Sequence, residues 1–228
     1  MKEFSQQDII QLLEEIGTRS IEPIIIFLIG GCNMSLKGIK AITRDIDLVI
    51  LTKKEYVYLK KTLITLGYTC HEENFSKNFY KMPITIFLKN DKRIDVFIRD
   101  VCNQIEVTKE MQMRAEDYQE FGKLKIKLVS NEDLFLFKSI TDREKDVDDC
   151  RILIAGGLNW EIIKKELHQQ EGKALWRFWV YEQLSRIENK YGKIIPKKIS
   201  DYLLRLVKEK WSERPKDFMK EMKDEINS

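Results

Sequence analysis

The order of apolar and polar positions divides the chain into two unlike parts. Residues 4–17 carry Ile9, Ile10, Leu12, Leu13 and Ile16 on one stripe, which predicts an amphipathic helix. Pro23 then precedes IIIFLI, a β-branched run of the kind that forms a buried strand. Gly30-Gly31 breaks this run, and a short helix is expected from about Asn33 to Ala41. Period-two alternation returns in DIDLVIL, Asp45 to Leu51. Thr52 is placed to cap a helix over about Lys54 to Leu66, which Gly67 ends. Two more strands follow, FYKMPITIFL and RIDVFIR, joined by a turn at Asn90-Asp91. Pro83 in the first suggests an edge or irregular position.

From Val101 the pattern changes. Short β segments, QIEVT and KLKIKLV, lead to a helix opening at Ser130 with Glu132 and Asp133 in its first turn. The rest, from about residue 131, is helical in pattern. In ALWRFWVYEQL, Leu175, Phe178, Trp179 and Leu184 have helical spacing and read as core packing rather than a base-stacking platform. The layout is α+β: an α/β domain over residues 1–128, then a helical domain over 129–228, with the seam between about 101 and 130.

Composition narrows the function classes. The chain has 228 residues, 43% hydrophobic and 34% charged, with 10 Gly and 4 Pro, which excludes collagen-like, low-complexity and wholly disordered chains. No apolar run approaches the roughly 18 residues that span a bilayer. The start, MKEFSQQDII, lacks the apolar core of a secretory signal, so a cytoplasmic protein without a membrane partner is expected. Cys32, Cys70, Cys102 and Cys150 are far apart, which favours reduced thiols over zinc or disulfides. His71 and His168 are the only histidines, and neither sits in a recognisable triad setting. Chemistry must therefore come from carboxylates, lysines and arginines. The net charge of +3 identifies no nucleic-acid partner. Ten basic and seven acidic residues from Tyr191 onward fit a solvated helical face as well as an RNA-binding one.

The informative stretch is IIIFLIGGCNMSLKGIKAITRDIDLVI. Glycines at the end of a strand let backbone approach a ligand, and a following helix N-terminus offers N–H groups to phosphates. On the next strand, Asp45 and Asp47 share a face while Ile46, Leu48 and Ile50 take the other. Two adjacent carboxylates repel, and a divalent cation, Mg²⁺ or Mn²⁺, removes the conflict. In Arg93-Ile94-Asp95-Val96-Phe97-Ile98, Asp95 lies opposite the apolar face. If the two strands pair, three carboxylates can hold two metals about 4 Å apart, an arrangement for phosphoryl or nucleotidyl transfer.

Gly-Gly, thirteen residues, Asp-Ile-Asp and a later strand Asp resemble the polymerase β-type nucleotidyltransferase superfamily, which implies a mixed-sheet core followed by a helical C-terminal region. Lys40 to Leu48, KAITRDIDL, further resembles the Arg-x-x-Thr-x-Asp-Ile-Asp-Leu signature of the prokaryotic AbiEii branch of toxin–antitoxin systems, with Lys40 in place of the Arg. Asn131 to Lys138 with Arg143 to Asp149 is similar to that branch's second motif. The resemblance covers about residues 20 to 155. It implies Asp45, Asp47 and Asp95 as catalytic and metal-binding residues, and Gly30, Gly31, Ser35, Lys40, Arg44, Lys138, Arg143 and Asp146 as nucleotide contacts. The implied reaction moves an NMP from an NTP, ATP included, to a hydroxyl acceptor and releases pyrophosphate. The acceptor could be an RNA 3′ end such as that of tRNA, and a cognate antitoxin could be a partner. Alternatives are nucleotidylation (AMPylation) of a partner protein and a fold relative that binds nucleotide without turnover.

Overall fold

The computed structural model describes residues 3–74, 83–102, 104–170 and 175–213. It forms two compact units. Residues 3–74, 83–101 and 107–130 make the first, and the described residues of 102–106 and 131–213 make the second.

The first unit begins with β1 (Phe4–Ser5) and α1 (Gln6–Arg19). Ser5 caps α1 and Asp8 returns a bond to the Ser5 N–H, a capping box that fixes where the helix starts. Next come β2 (Ile24–Ile29), α2 (Gly30–Leu36), β3 (Ile42–Thr43), β4 (Ile46–Ile50) and α3 (Lys53–Thr65), the last capped by Thr52. β5 (Thr69–Asn74), β6 (Pro83–Lys89), β7 (Lys92–Ile98) and β8 (Asp100–Val101) follow. After β9 (Ile105–Glu106), α4 (Lys109–Arg114), β10 (Glu116–Phe121) and β11 (Leu124–Leu128) complete the unit.

Seven strands form a mixed sheet in the order β10-β11-β2-β4-β7-β6-β5. β2 runs parallel to β11 and antiparallel to β4, and β4 runs parallel to β7. One face carries Ile24, Ile26, Leu28, Ile46, Leu48, Ile50, Ile94 and Val96, which pack with Ile9, Leu12, Leu13, Leu59 and Leu63 from α1 and α3 in one apolar core. Strict alternation along β4 and β7 therefore sends Asp47 and Asp95 to the other face.

Several expectations shift. The short helix runs over Gly30–Leu36, so the diglycine lies inside its first turn rather than ahead of it. Pro83 opens β6, where a missing N–H is tolerated, but β6 is flanked by β5 and β7 and is no edge strand. Phe79 to Met82, assigned to this strand, lie outside the described residues. β5, α4 and β10 have no counterpart in the sequence reading.

The second unit is helical, apart from β9: α5 (Asn131–Ser139), α6 (Glu144–Ala155), α7 (Trp160–Gln169), α8 (Trp176–Tyr191) and α9 (Lys197–Glu213). α5 packs against α6, α7 and α8. Leu134, Phe135, Leu136 and Phe137 are all buried, the pattern of a helix enclosed all round. On α8 the buried stripe is Trp176, Val180, Leu184 and Ile187, whereas Phe178 and Trp179 are only half-buried. Trp176, Phe178, Trp179 and Tyr181 spread around more than half of the helix, so periodicity alone set the stripe one position out of phase.

Candidate active site

β2 ends where β4 and β7 begin. Ile29 is the register partner of Asp47 across the antiparallel pair, and Asp47 is the register partner of Asp95 across the parallel pair. Directly partnered residues on neighbouring strands share a face, with backbones about 5 Å apart. The two aspartates thus stand side by side. Asp95 is buried and Asp47 half-buried. Asp45 sits just ahead of β4, also half-buried, and its carbonyl accepts from the Thr43 hydroxyl at 3.2 Å.

The diglycine turn fits against this pair. Gly30 has φ +64°, and a Cβ there would come within 2.1 Å of the Asp47 carboxylate. At Gly31 a Cβ would come within 2.4 Å of the Thr43 hydroxyl. Gly30 is thus required twice, for its left-handed backbone and for the space the carboxylate fills. Cys32 donates its thiol to the Ile29 carbonyl at 3.0 Å and the Asp47 carbonyl at 3.4 Å. Burial, then the negative field of Asp47, pushes this thiol far above the ordinary thiol range and favours its protonated form.

Arg93 is the residue that sequence reasoning left out. Its Nε donates to Asp95 Oδ1 at 2.6 Å and its Nη2 to Asp95 Oδ2 at 2.8 Å, a two-pronged charge-assisted pair. That hydrogen bonding, with the charges of Asp95, Asp45 and Asp47, holds the guanidinium above its ordinary value although burial opposes it. All three aspartates therefore act on one cation. The signal that could have revealed it was the i, i+2 spacing of Arg93 and Asp95, the same spacing that placed Asp45 beside Asp47.

Among the described residues, no three His, Cys, Asp or Glu side chains are already grouped as a metal cage. Asp95 holds the Arg93 cation, and the charges of Asp45 and Asp47 act on it too. Carboxylates are the donor type that a hard divalent ion takes, so Asp45, Asp47 and Asp95 are the residues that could hold one.

The expected nucleotide contacts are placed unevenly. Ser35 is buried in α2, and its hydroxyl makes no hydrogen bond. Asn33, also buried in α2, donates to the Leu28 carbonyl at 2.8 Å and the Val129 carbonyl at 3.2 Å, tying the helix to the ends of β2 and β11. Lys37 Nζ reaches the same Val129 carbonyl at 2.9 Å. Lys40 is half-buried, while Arg44 is exposed and lies 3.7 Å from Glu3.

In the helical unit, Lys138 Nζ is enclosed between Asp146 Oδ1 at 2.9 Å and Asp149 Oδ2 at 2.7 Å. Asp146 Oδ2 also accepts from Thr141 at 2.6 Å and Arg143 at 2.7 Å. Burial disfavours every charge here, but the partners prevail. Lys138 is held above its ordinary value, and Asp146 is lowered to about 2 by Lys138, Arg143 and Thr141. In this arrangement Lys138 and Asp146 spend their charges on each other, and Arg143 keeps an exposed side of its guanidinium.

A mixed sheet that sets two aspartates abreast beside a diglycine turn is the frame of a phosphorus-transferring protein. The chain belongs to the family described as "Nucleotidyl transferase of unknown function (DUF2204)", which matches residues 5–224. No curated protein matches it. Solved structures similar to it include the following two. A provisionally assigned nucleotidyltransferase from H. pylori shares 11% identity over 92% of this chain and 95% of its own, with a TM-score of 0.42. JHP933 from Helicobacter pylori shares 12% identity over 94% of this chain and 95% of its own, also with a TM-score of 0.42. Among the described residues, no helix is long and apolar enough to cross a membrane.

Proposed function

We propose that this protein is a metal-dependent nucleotidyltransferase that moves an NMP from an NTP to a hydroxyl acceptor, an RNA 3′ end such as that of tRNA, with release of pyrophosphate. The observation that carries this reading is the register pairing of Asp47 with Asp95, with Gly30 beneath the Asp47 carboxylate. The bare backbone at Gly30 and Gly31 leaves the space that the Asp47 carboxylate and the Thr43 hydroxyl fill, which seats Asp47 against the turn. Asp45 and Asp47 hold the cation and Asp95 takes the proton of the acceptor hydroxyl as it attacks the α-phosphorus. A bound Mg²⁺ or Mn²⁺ supplies charge neutralisation and activates the attacking oxygen. The RNA acceptor and a cognate antitoxin rest on the likeness of KAITRDIDL to the AbiEii signature.

The test is incubation of the full chain with each α-labelled NTP, Mg²⁺ or Mn²⁺, and either total RNA or lysate protein. Label is expected on RNA and lost on adding EDTA. Asp47→Asn is expected to lower transfer about 10³-fold or more while leaving thermal unfolding nearly unchanged. Label on protein instead redirects the acceptor assignment, and label on neither contradicts the reading.

A further inference from the structure

The Arg93 fork takes one lone pair of each Asp95 oxygen and lowers the carboxylate's affinity for a proton or a metal ion. A dipositive ion placed beside that guanidinium would meet like-charge repulsion in a half-buried site, where Coulomb forces are weakly screened. The strand cannot yield, because Ile94 and Val96 on either side of Asp95 are fully buried in the core. The Arg93 side chain has solvent to move into: it is 31% exposed, against 7% for that of Asp95.

We propose that Arg93 is the resident counter-cation of Asp95, and that guanidinium and divalent cation occupy this carboxylate in turn. The proposal rests on the functional reading above. Arg93 is a positioning residue: it offsets the charge of Asp95 and of its register partner Asp47 in the absence of metal, and it leaves Asp95 when the metal arrives. Its long side chain stays anchored on the same face of β7, so the released fork remains beside the carboxylates. There it suits the phosphate oxygens of an incoming nucleotide, which it can engage two at a time.

The experiment is Mn²⁺ binding to the full chain, followed by electron paramagnetic resonance without nucleotide, for wild type, Arg93→Met, Arg93→Gln and Asp95→Asn. Both Arg93 variants are expected to bind Mn²⁺ about tenfold more tightly, the scale of one charge-assisted pair no longer displaced. Asp95→Asn is expected to bind at least about tenfold more weakly on the same scale. A purely structural Arg93 would leave affinity unchanged or, through misfolding, lower it. Unchanged or weaker binding in both Arg93 variants overturns the proposal, and if Asp95→Asn still weakens binding the nucleotidyltransferase reading survives. If Asp95→Asn leaves affinity untouched, Asp95 holds no metal and the exchange proposal falls, while the nucleotidyltransferase reading, in which Asp45 and Asp47 hold the cation, stands.

Discussion

The molecule has two clusters in which cations meet carboxylates, and they solve opposite problems. In the helical unit, Lys138 and Arg143 face Asp146 and Asp149, two cations to two acids, with Lys138, Asp146 and Asp149 buried. In the sheet unit, the charges of Asp95, Asp45 and Asp47 all act on Arg93, and the arginine reaches solvent. In the first cluster the lysine is sealed between its two acids, at 5% exposure. In the second the arginine that holds the buried acid is itself 31% exposed, so solvent reaches the cation of the pair. A cation enclosed with its acids serves the fold, and one that borders solvent can be exchanged for another.

The contrast breaks most visibly on stability. Lys138→Met leaves Asp146 and Asp149 buried without their shared cation and is expected to cost about 3–5 kcal/mol. Arg93→Met removes a cation that borders solvent and leaves Asp95 room to be rehydrated, and is expected to cost less, about 1–3 kcal/mol. Urea unfolding of the two variants beside wild type measures both, and equal losses would erase the distinction drawn here.

A second test uses pH. Asp146 titrates at about 2 in the folded protein, below its ordinary value of 3.8. A lowered folded value means that the stabilisation is fully present above about pH 4 and is lost as pH falls toward 2. Compared with Asp146→Asn, wild type is expected to lose about 2 kcal/mol of unfolding free energy over that interval. A difference that stays flat with pH would show that the buried carboxylate is not held ionised by its partners.

Legibility in the sequence followed the same division. Asp45-Ile46-Asp47 and Ile94-Asp95-Val96 could be placed because strand alternation is rigid and one face had to be apolar. The pairing of Asp47 with Asp95 was only conditional on the sequence, since nothing local says which strands become neighbours. β5 and β10 escaped because TCHEEN and EDYQEF carry little apolar signal, and both are edge strands of the sheet. Lys138 was readable as a cation on a helix, but its enclosure between two aspartates depends on how α5 and α6 pack. Arg93 had the right spacing in plain view, and what the sequence could not show is that the fold also brings it within the field of Asp45 and Asp47.

The account stands or falls on whether Asp45, Asp47 and Asp95 gather a divalent ion once nucleotide is present. Crystals grown with Mn²⁺ and a non-hydrolysable NTP analogue would show this through anomalous scattering. The expected result is a manganese peak among these three carboxylates, with the Arg93 guanidinium withdrawn from Asp95. A peak confined to other residues, with Arg93 still clasping Asp95 in the nucleotide-bound protein, would contradict it.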